Sequence, residues 1–416
     1  MEGIKNKGIL IYDFGSAVPI AQRIGRECRV GYFSLWQSGY PTVNDLAMGS
    51  GFDNVERIED FWKAVDDKKW DCIAFFDTNT ADISEYLKRH GHKVFAPGKA
   101  SLLETQRWTA RKVQSTVQLP TQHTEKVIGL SNLKKRLSQV KDKFIKLSVF
   151  RGELETWKHN NFESSQPFLD KLAVSLGINK DVVEFIIEDP IEGEEWGYDG
   201  FVCGGSYSNF CFIGAEIKDT SYIGKVVKNN DLFKPIKEVN DKLAPFFKKC
   251  DTQSMFSTEV RITKDGKGFL IDPTVRAPFP PSFVEMEMYE NFGEFIYNAA
   301  QGKLIDLKPV STYGVEAIMS SAWSEESPME VTFPKEMERW VKLASGAKVN
   351  GKYYVLPGNA KNHYVSAIGL GKTVDEAINN VQKVIDKIDA CQLQKSFDKQ
   401  SIYEKIKEGR KNGIQF

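Results

Sequence analysis

The first hundred residues alternate between short apolar runs and stretches whose apolar residues recur at helical spacing. Runs such as GILIYDF, RVGYFSL and WDCIAFFD predict buried strands, and AVPIAQRIGREC and TADISEYLKRHG predict helices between them. This βαβ rhythm indicates a parallel sheet with helices on both faces. Ligands of such sheets bind beyond the carboxyl ends of the strands, so the loops at 13–17 and 76–80 are candidate binding loops.

The pattern changes near residue 101 to that of an α+β region. A single helix is predicted over 101–117, and mostly antiparallel strands follow it, among them KFIKLSVF, VEFIIEDPI and SNFCFIGAEI. After residue 314 strands return, and TVDEAINNVQKVIDKI predicts a helix capped by Thr373 with Glu376 as its capping-box partner.

The stretch TEVRITKDGKGFLIDPTVR predicts a β-hairpin. Its Asp-Gly pair at 265–266 is a strong turn signal between alternating apolar and polar residues. A two-residue loop pairs Ile262 with Phe269 and places Glu259 directly opposite Asp272. Two facing carboxylates repel each other, although a solvated hairpin tolerates this at modest cost. A divalent cation between them would remove the repulsion.

Lys146 ends the strand KFIKL and precedes a short segment with Arg151 and Gly152, which we expect to be flexible. A lysine in this place can neutralise phosphate oxygens. The alternative is a solvated lysine at a strand end.

The stretch EFIIEDPIEGEEWGYDGFV joins two strands through an extended acidic linker that starts at Glu188. Backbone groups left unpaired in such a linker can bind the edge of an adenine. An acid a few residues on can accept the two hydroxyls of a ribose. A solvated acidic loop without a role is an equal alternative, because short motifs give many false matches.

Composition narrows the class of protein. The 416 residues suffice for two or three domains, and 41% apolar and 27% charged residues are ordinary for a globular protein. A formal net charge of zero gives no electrostatic case for nucleic-acid or membrane binding. The N-terminus lacks the apolar region of a signal peptide, and the six scattered cysteines form no CxxC. We therefore expect a reduced, cytoplasmic protein.

Taken in order, these motifs resemble the ATP-grasp superfamily. The resemblance implies a site for ATP and Mg²⁺ (or Mn²⁺) with three groups of residues. Positions that match the adenine hinge and its ribose-binding acid are Glu188, Asp189, Ile191 and Glu195. Positions that match the phosphate-binding cations are Arg107 and Lys146. Positions that match the metal-binding hairpin are Glu259, Asp272 and Thr274.

Within the superfamily the chain is most similar to the phosphoribosylamine–glycine ligases, over nearly its whole length. The resemblance implies an N-terminal parallel-sheet domain (1–100) and an ATP-grasp domain (101–310) with a small lobe at about 120–200 and the metal hairpin at 255–276. A C-terminal lobe with a tail helix (311–416) follows. Three departures mark divergence: DFGSAVPIAQ replaces the family's glycine-rich phosphate loop, Arg107 replaces a lysine, and Thr274 replaces an asparagine.

The resemblance implies an ATP-dependent ligase that joins a carboxylate to an amine through an acylphosphate. Arg276 and Arg261 are candidates for orienting the carboxylate or the acylphosphate, with Lys146 as a third catalytic cation. A structural ion pair with Glu259 or Asp272 is the alternative role for both arginines. Other hypotheses are a nucleotide-binding protein without ligase activity, phosphoribosylamine–glycine ligase itself, and an ATP-dependent kinase.

The two N-terminal loops offer hydrogen-bonding groups and two acids but no base: Asp13, Ser16, Asp77, Thr78 and Asn79. Such a set binds a phosphate dianion poorly, because phosphate prefers N–H donors and cations. We therefore expect a polar substrate that is neutral or cationic at this end, such as an amine, rather than phosphoribosylamine. Capping turns are the alternative. The partners expected are small-molecule acids and amines, and a homodimer is the prior for oligomeric state.

Overall fold

A computed structural model describes residues 3–35, 47–148, 155–357 and 365–416. The N-terminal sheet has five parallel strands: β1 (Gly8–Asp13), β2 (Arg29–Ser34), β3 (Glu56–Ile58), β4 (Cys72–Phe75) and β5 (Val94–Phe95). Their order is β3-β2-β1-β4-β5. Three helices connect them: α1 (Val18–Ile24), α2 (Phe61–Val65) and α3 (Ala81–Arg89). The predicted parallel sheet is confirmed, and β1 and β4 are neighbours, so the loops that follow them share one edge.

The single helix predicted over 101–117 is wrong. Gln106 has non-helical torsions (φ −129°, ψ 77°) and divides the segment into α4 (Leu102–Thr105) and α5 (Arg107–Thr116). The break makes Arg107 the first residue of α5, with its backbone N–H donated to Ser148 Oγ at 3.2 Å.

A small antiparallel sheet follows, with strands β6 (Thr124–Ile128), β7 (Lys143–Leu147), β8 (Thr156–His159) and β9 (Glu184–Glu188) in the order β6-β9-β7-β8. Helices α6 (Leu130–Leu137) and α7 (Phe162–Leu176) cover one face and enclose a separate core of leucines around Trp157. The outer strand β6 has no fully buried residue and shows no clear apolar/polar alternation, so the sequence pattern did not reveal it.

The next region supplies seven strands: β10 (Glu194–Cys203), β11 (Ser206–Tyr207), β12 (Phe210–Ile217), β13 (Ser221–Lys228), β14 (Gln253–Ile262), β15 (Gly268–Thr274) and β16 (Tyr313–Met319). Its helices are α8 (Lys234–Cys250), α9 (Ser282–Met288) and α10 (Phe292–Ala300).

The remainder contains α11 (Trp323–Glu326), β17 (Met329–Thr332), β18 (Val341–Leu343), β19 (Gly346–Val349), β20 (Lys352–Val355), β21 (Val365–Gly371), α12 (Val374–Ile385), β22 (Asp389–Ala390) and α13 (Lys399–Lys411). Strands β16, β21 and β18 extend the large sheet, whose order is β15-β14-β10-β12-β13-β16-β21-β18 with β11 beside β10. One continuous sheet therefore crosses the predicted boundary at residue 310. A four-stranded sheet, β19-β20-β17-β22, lies beside it.

The hairpin β14–β15 has the predicted pairing of Glu259 with Asp272, but its loop and its register differ from the prediction. Its loop is longer than two residues: Thr263 donates its N–H to Lys267 O at 3.0 Å, and Gly266 takes φ +77°, a torsion that suits glycine. Ile262 pairs with Gly268 rather than Phe269. A bulge between Glu259 and Val260 then shifts the register by one residue, so Glu259 does lie opposite Asp272.

The capping of α12 by Thr373 is confirmed, with Glu376 N–H donated to Thr373 Oγ1 at 3.2 Å. Of the six cysteines, all free, five are buried and only Cys391 is exposed. Among the described residues, no helix combines the length and apolar character needed to cross a bilayer.

Candidate functional site

Three basic side chains converge on the metal hairpin from two other elements. Arg107 and Arg111 lie one turn apart on α5 and therefore share a face of the helix. Lys146 extends from β7 of the small sheet. All three are at least 94% buried, which is unusual for basic residues and requires acidic partners.

Asp272 forms ion pairs with two of these three basic side chains. The Arg107 guanidinium bonds to its Oδ1, and Lys146 Nζ lies 2.8 Å from its Oδ2. Arg107 also bonds to Glu155 at the edge of the small sheet. Lys146 Nζ is a further 3.3 Å from Ile271 O and 3.7 Å from Glu188. The cations predicted to bind phosphate thus lie on the acid predicted to bind metal.

Arg111 is a site residue that the sequence reasoning missed. Its Nε and Nη2 lie 2.5 and 2.9 Å from the two oxygens of Glu188, and Nη2 is also 2.9 Å from Ile271 O. The helical spacing from Arg107 was the signal that could have found it. Glu155 was also missed, and it is placed here by tertiary folding alone.

The two hairpin acids have opposite electrostatics. Burial raises the pKa of Asp272, but the charges of Arg107, Lys146 and Arg111 outweigh burial and hold that pKa well below its usual range. Burial and the charge of Asp272 raise the pKa of Glu259 well above its usual value. The neutral form of Glu259 is therefore favoured beside the charged Asp272 carboxylate.

The donors on the hairpin fit a magnesium ion that is shared with a nucleotide. Glu259, Asp272 and, two residues along the same face, Thr274 offer only oxygen atoms, which Mg²⁺ prefers. Within the described ranges no cluster of three or more His, Cys, Asp or Glu residues suits a metal. The remaining ligands would have to be phosphate oxygens and water.

The hinge positions lie where β9 leads into β10. The Glu188 side chain is held by Arg111, and the Asp189 carboxylate bonds to Lys143. Glu195 Oε2 is 2.5 Å from Arg261, whose Nη1 also lies 3.3 Å from Ile191 O. Arg261 therefore stands at the hinge, and its ion-pair partner is Glu195 rather than either hairpin acid.

Arg276 is placed beyond the hairpin, toward the N-terminal domain. Its Nε lies 2.9 Å from Glu104 Oε1, so the alternative of a pair with Glu259 or Asp272 is wrong. The next residue, Ala277, donates its N–H to Phe76 O at 3.1 Å. This bond joins the end of the hairpin to the edge where the two N-terminal loops open.

The loop after β1 is stabilised by Asp13. That side chain is fully buried and accepts the N–H groups of Gly15 (2.8 Å) and Ala17 (2.7 Å) and the hydroxyl of Tyr32 (2.7 Å). Ser16, half-buried, also donates to it at 3.3 Å. Asp13 thus caps its own loop, as in the capping-turn alternative, and its Oδ2 accepts three of these four bonds.

The loop after β4 includes an exposed polar residue, Asn79, unlike the buried Asp13 of the first loop. Asp77 Oδ1 accepts the N–H of Asn79 at 3.1 Å and so caps a short 3-10 helix at Thr78–Thr80. Asn79 is exposed, whereas Thr78 is 2% exposed. Arg151 and Gly152, expected in a flexible loop, lie outside the described residues.

Comparisons by sequence find nothing: no protein-family model matches the chain, and no curated protein does. Comparison by structure is different. Phosphoribosylamine–glycine ligase from Thermotoga maritima is similar with a TM-score of 0.72, 16% identity and coverage of 93% of this chain and 98% of the other. The chain has the ATP-grasp fold. This confirms the fold class expected from the sequence.

Two further structures show the same architecture. L-amino acid ligase from Bacillus licheniformis has a TM-score of 0.61, 15% identity and coverage of 93% and 99% of the two chains. The biotin carboxylase domain of the Hydrogenobacter thermophilus 2-oxoglutarate carboxylase has a TM-score of 0.66, 11% identity and coverage of 93% and 91%, and its structure contains MgADP and bicarbonate.

Proposed function

We propose that the protein is an ATP-dependent ligase that joins a small-molecule carboxylate to an amine through an acylphosphate. The observation that carries the proposal is the convergence of Arg107, Lys146 and Arg111 on the acids Asp272 and Glu188 at the hairpin of an ATP-grasp fold. Such buried, oppositely charged side chains match a site where phosphate and a divalent cation would exchange partners with them.

In the proposed reaction a carboxylate oxygen attacks the γ-phosphorus of ATP, and the bond to the bridging oxygen breaks to release ADP. The amine nitrogen then attacks the acyl carbon, phosphate leaves with the bonding electrons, and the amine loses a proton. Bound Mg²⁺ would be held by Glu259, Asp272 and Thr274 and would neutralise phosphate charge.

The protein's own groups position the reactants. Arg107 and Lys146 would move from Asp272 to the phosphates when Mg²⁺ takes that carboxylate. The backbone of 188–191 would bind the adenine edge, and Glu195 would accept the ribose hydroxyls after release from Arg261. Arg276 and the loop at 77–79 lie at the N-terminal edge, where we place the acid and amine substrates.

Two other functions remain candidates. A nucleotide-binding protein without ligase activity would fit Asp272 held by two cations and Thr274 in place of a stronger ligand. A kinase would use the same ATP site but would form a stable phosphorylated product without an amine.

The test is a screen of pooled carboxylates and amines for ADP release, with mass spectrometry of the products. A ligase gives ADP and an amide-linked product only when both an acid and an amine are present. ADP binding without release of product from any pair would support the inactive alternative. Tight binding and turnover of phosphoribosylamine with glycine would instead identify the family's own substrates as those of this chain.

A further inference from the structure

A cavity of about 770 Å³ opens between the start of α12, the first residue of β16 and the helix α13. Its volume is within the range of small-molecule sites, roughly 300–1,000 Å³. The side chains that give it its character are Tyr313, Lys372, Tyr403, Lys407, Arg410 and Lys411. Four of these six carry a positive charge.

The lining of this cavity carries four basic side chains and one acidic side chain. Its acid, Asp375, accepts the hydroxyl of Tyr403 at 2.6 Å, and Arg410 donates to Phe416 O at 2.9 Å. No ion pair of the described residues involves the three lysines of the cavity: Lys372, Lys407 and Lys411. These lysines are exposed and line a concave surface of a chain whose net charge is zero.

The cavity is distinct from the candidate active site. Helix α13 packs on Trp196 through Gly409, where an added Cβ would lie 2.4 Å from the indole ring. Neighbouring residues of a strand point to opposite faces, so Trp196 and the hinge acid Glu195 face opposite sides of the large sheet. The cavity therefore lies on the side opposite to the hinge.

We propose that this cavity binds a small phosphate ester or diphosphate. Ammonium groups on flexible stems bind phosphate as point charges from several directions, whereas a carboxylate offers fewer acceptors. Tyr313 and Tyr403 add aromatic surface to the lining, suited to a ring attached to the phosphate. The first-turn N–H of Glu376 is already capped by Thr373, so the lysine side chains are the main anion donors.

The test uses pyrophosphate and AMP as probes in calorimetry on the full chain. The double variant Lys407→Glu/Lys411→Glu is compared with Lys395→Glu/Lys399→Glu, which changes net charge equally outside the cavity. We expect the first pair to weaken binding of both probes by about tenfold or more, and the second by less than about twofold, since only the first removes lysines that face the ligand. Pyrophosphate alone binding would assign a phosphate site without ring recognition.

Two controls separate this cavity from the nucleotide site. Lys146→Ala should leave pyrophosphate binding in the cavity unchanged, and both double variants should keep the ADP affinity of the unaltered chain, which also shows that they fold. The proposal is overturned if neither probe binds saturably, or if the two double variants weaken binding equally. Failure of ligase activity would not affect either result.

Discussion

At the scale of single residues, Asp272 pairs with two of the basic side chains of the candidate site, Arg107 and Lys146. Asp272→Asn should abolish ADP formation, because the neutral amide is a poor Mg²⁺ ligand and its nitrogen cannot accept a hydrogen bond from Arg107 or Lys146. Asp265→Asn, in the turn of the same hairpin, is the matched control. Steady-state ADP release and circular dichroism check the two variants. Turnover by Asp272→Asn equal to that of the control would contradict the metal assignment.

Glu195 gives a second residue-scale prediction. Glu195→Gln should weaken nucleotide binding by about 1–3 kcal/mol, the cost of losing a charged hydrogen-bonding partner. Its neighbour Glu194 points to the other face, where Lys405 lies 3.5 Å away, so Glu194→Gln is the control. Calorimetry with ADP measures both. Equal affinities for the two variants would remove Glu195 from the ribose site.

Part of the candidate site could be predicted from the sequence, and the ion-pair partners became visible only in the structure. Lys146, Glu259 and Asp272 could be predicted because each occupies a recognisable place in a strand or hairpin. The partners could not be, since Glu155 is 117 positions from Asp272 and only the folded chain brings both to Arg107. Likewise, no sequence pattern distinguishes an Asp13 that caps its loop from one that faces a substrate.

At the scale of elements, helix α9 carries two buried glutamates with opposite responses to pH. Both oxygens of Glu285 lack partners among the described residues, and burial together with the charge of Asp199 raises its pKa well above the ordinary value. Burial also raises the pKa of Glu287, but Lys342 and Arg26 outweigh this and lower it to about 2. Its carboxylate lies 2.6 Å from Lys342 and 2.8 Å from Arg26.

The pKa shifts of Glu285 and Glu287 change the free energy of unfolding with pH in opposite directions, because proton binding is linked to folding. The raised pKa of Glu285 gives stability that is full below about pH 4.5 and falls as pH rises, by at most about 1.4 kcal/mol per pH unit. Glu285→Gln should therefore gain stability relative to the unaltered chain between pH 5 and 8. Glu287→Gln should lose about 3–5 kcal/mol near neutral pH and less toward pH 2, because its contribution disappears as the carboxylate is protonated. Urea unfolding across pH measures both, and parallel curves would refute the assignment.

Elements were predictable where one local signal dominates. The parallel strands are continuous apolar runs, and α12 has both its cap and its period in the sequence. The break at Gln106 and the bulge at Glu259 could not be predicted, because both depend on partners that are distant in the sequence. Ser148 bonds the first residue of α5, and β15 sets the register of β14. In the hairpin, the longer loop and the bulge offset each other, so the predicted pairing of Glu259 with Asp272 is correct although the predicted two-residue loop is wrong.

At the scale of the whole molecule, Arg111 links three parts of the structure: α5, the last strand of the small sheet through Glu188, and the hairpin of the large sheet through Ile271 O. Thr124 adds a hydroxyl 3.2 Å from Glu188. The side chains of Arg111 and Glu188 are nearly out of contact with water, at 6% and 2% exposure. The pair therefore helps to hold the small sheet over the hairpin, together with the contacts of Lys146 to Asp272 and Ile271 O.

Removing one member should cost far more than removing both. Arg111→Met leaves the buried Glu188 carboxylate without its bidentate partner, with only Lys146 at 3.7 Å and the Thr124 hydroxyl at 3.2 Å, and we expect a loss of about 3–5 kcal/mol in unfolding free energy. Glu188→Leu should cost a similar amount. The double variant should recover much of the loss, because an apolar pair of similar volume replaces a buried ion pair at little net cost. Denaturant unfolding of all four proteins gives the coupling energy. Additive losses would mean that Arg111 stabilises α5 alone and does not hold the two sheets together.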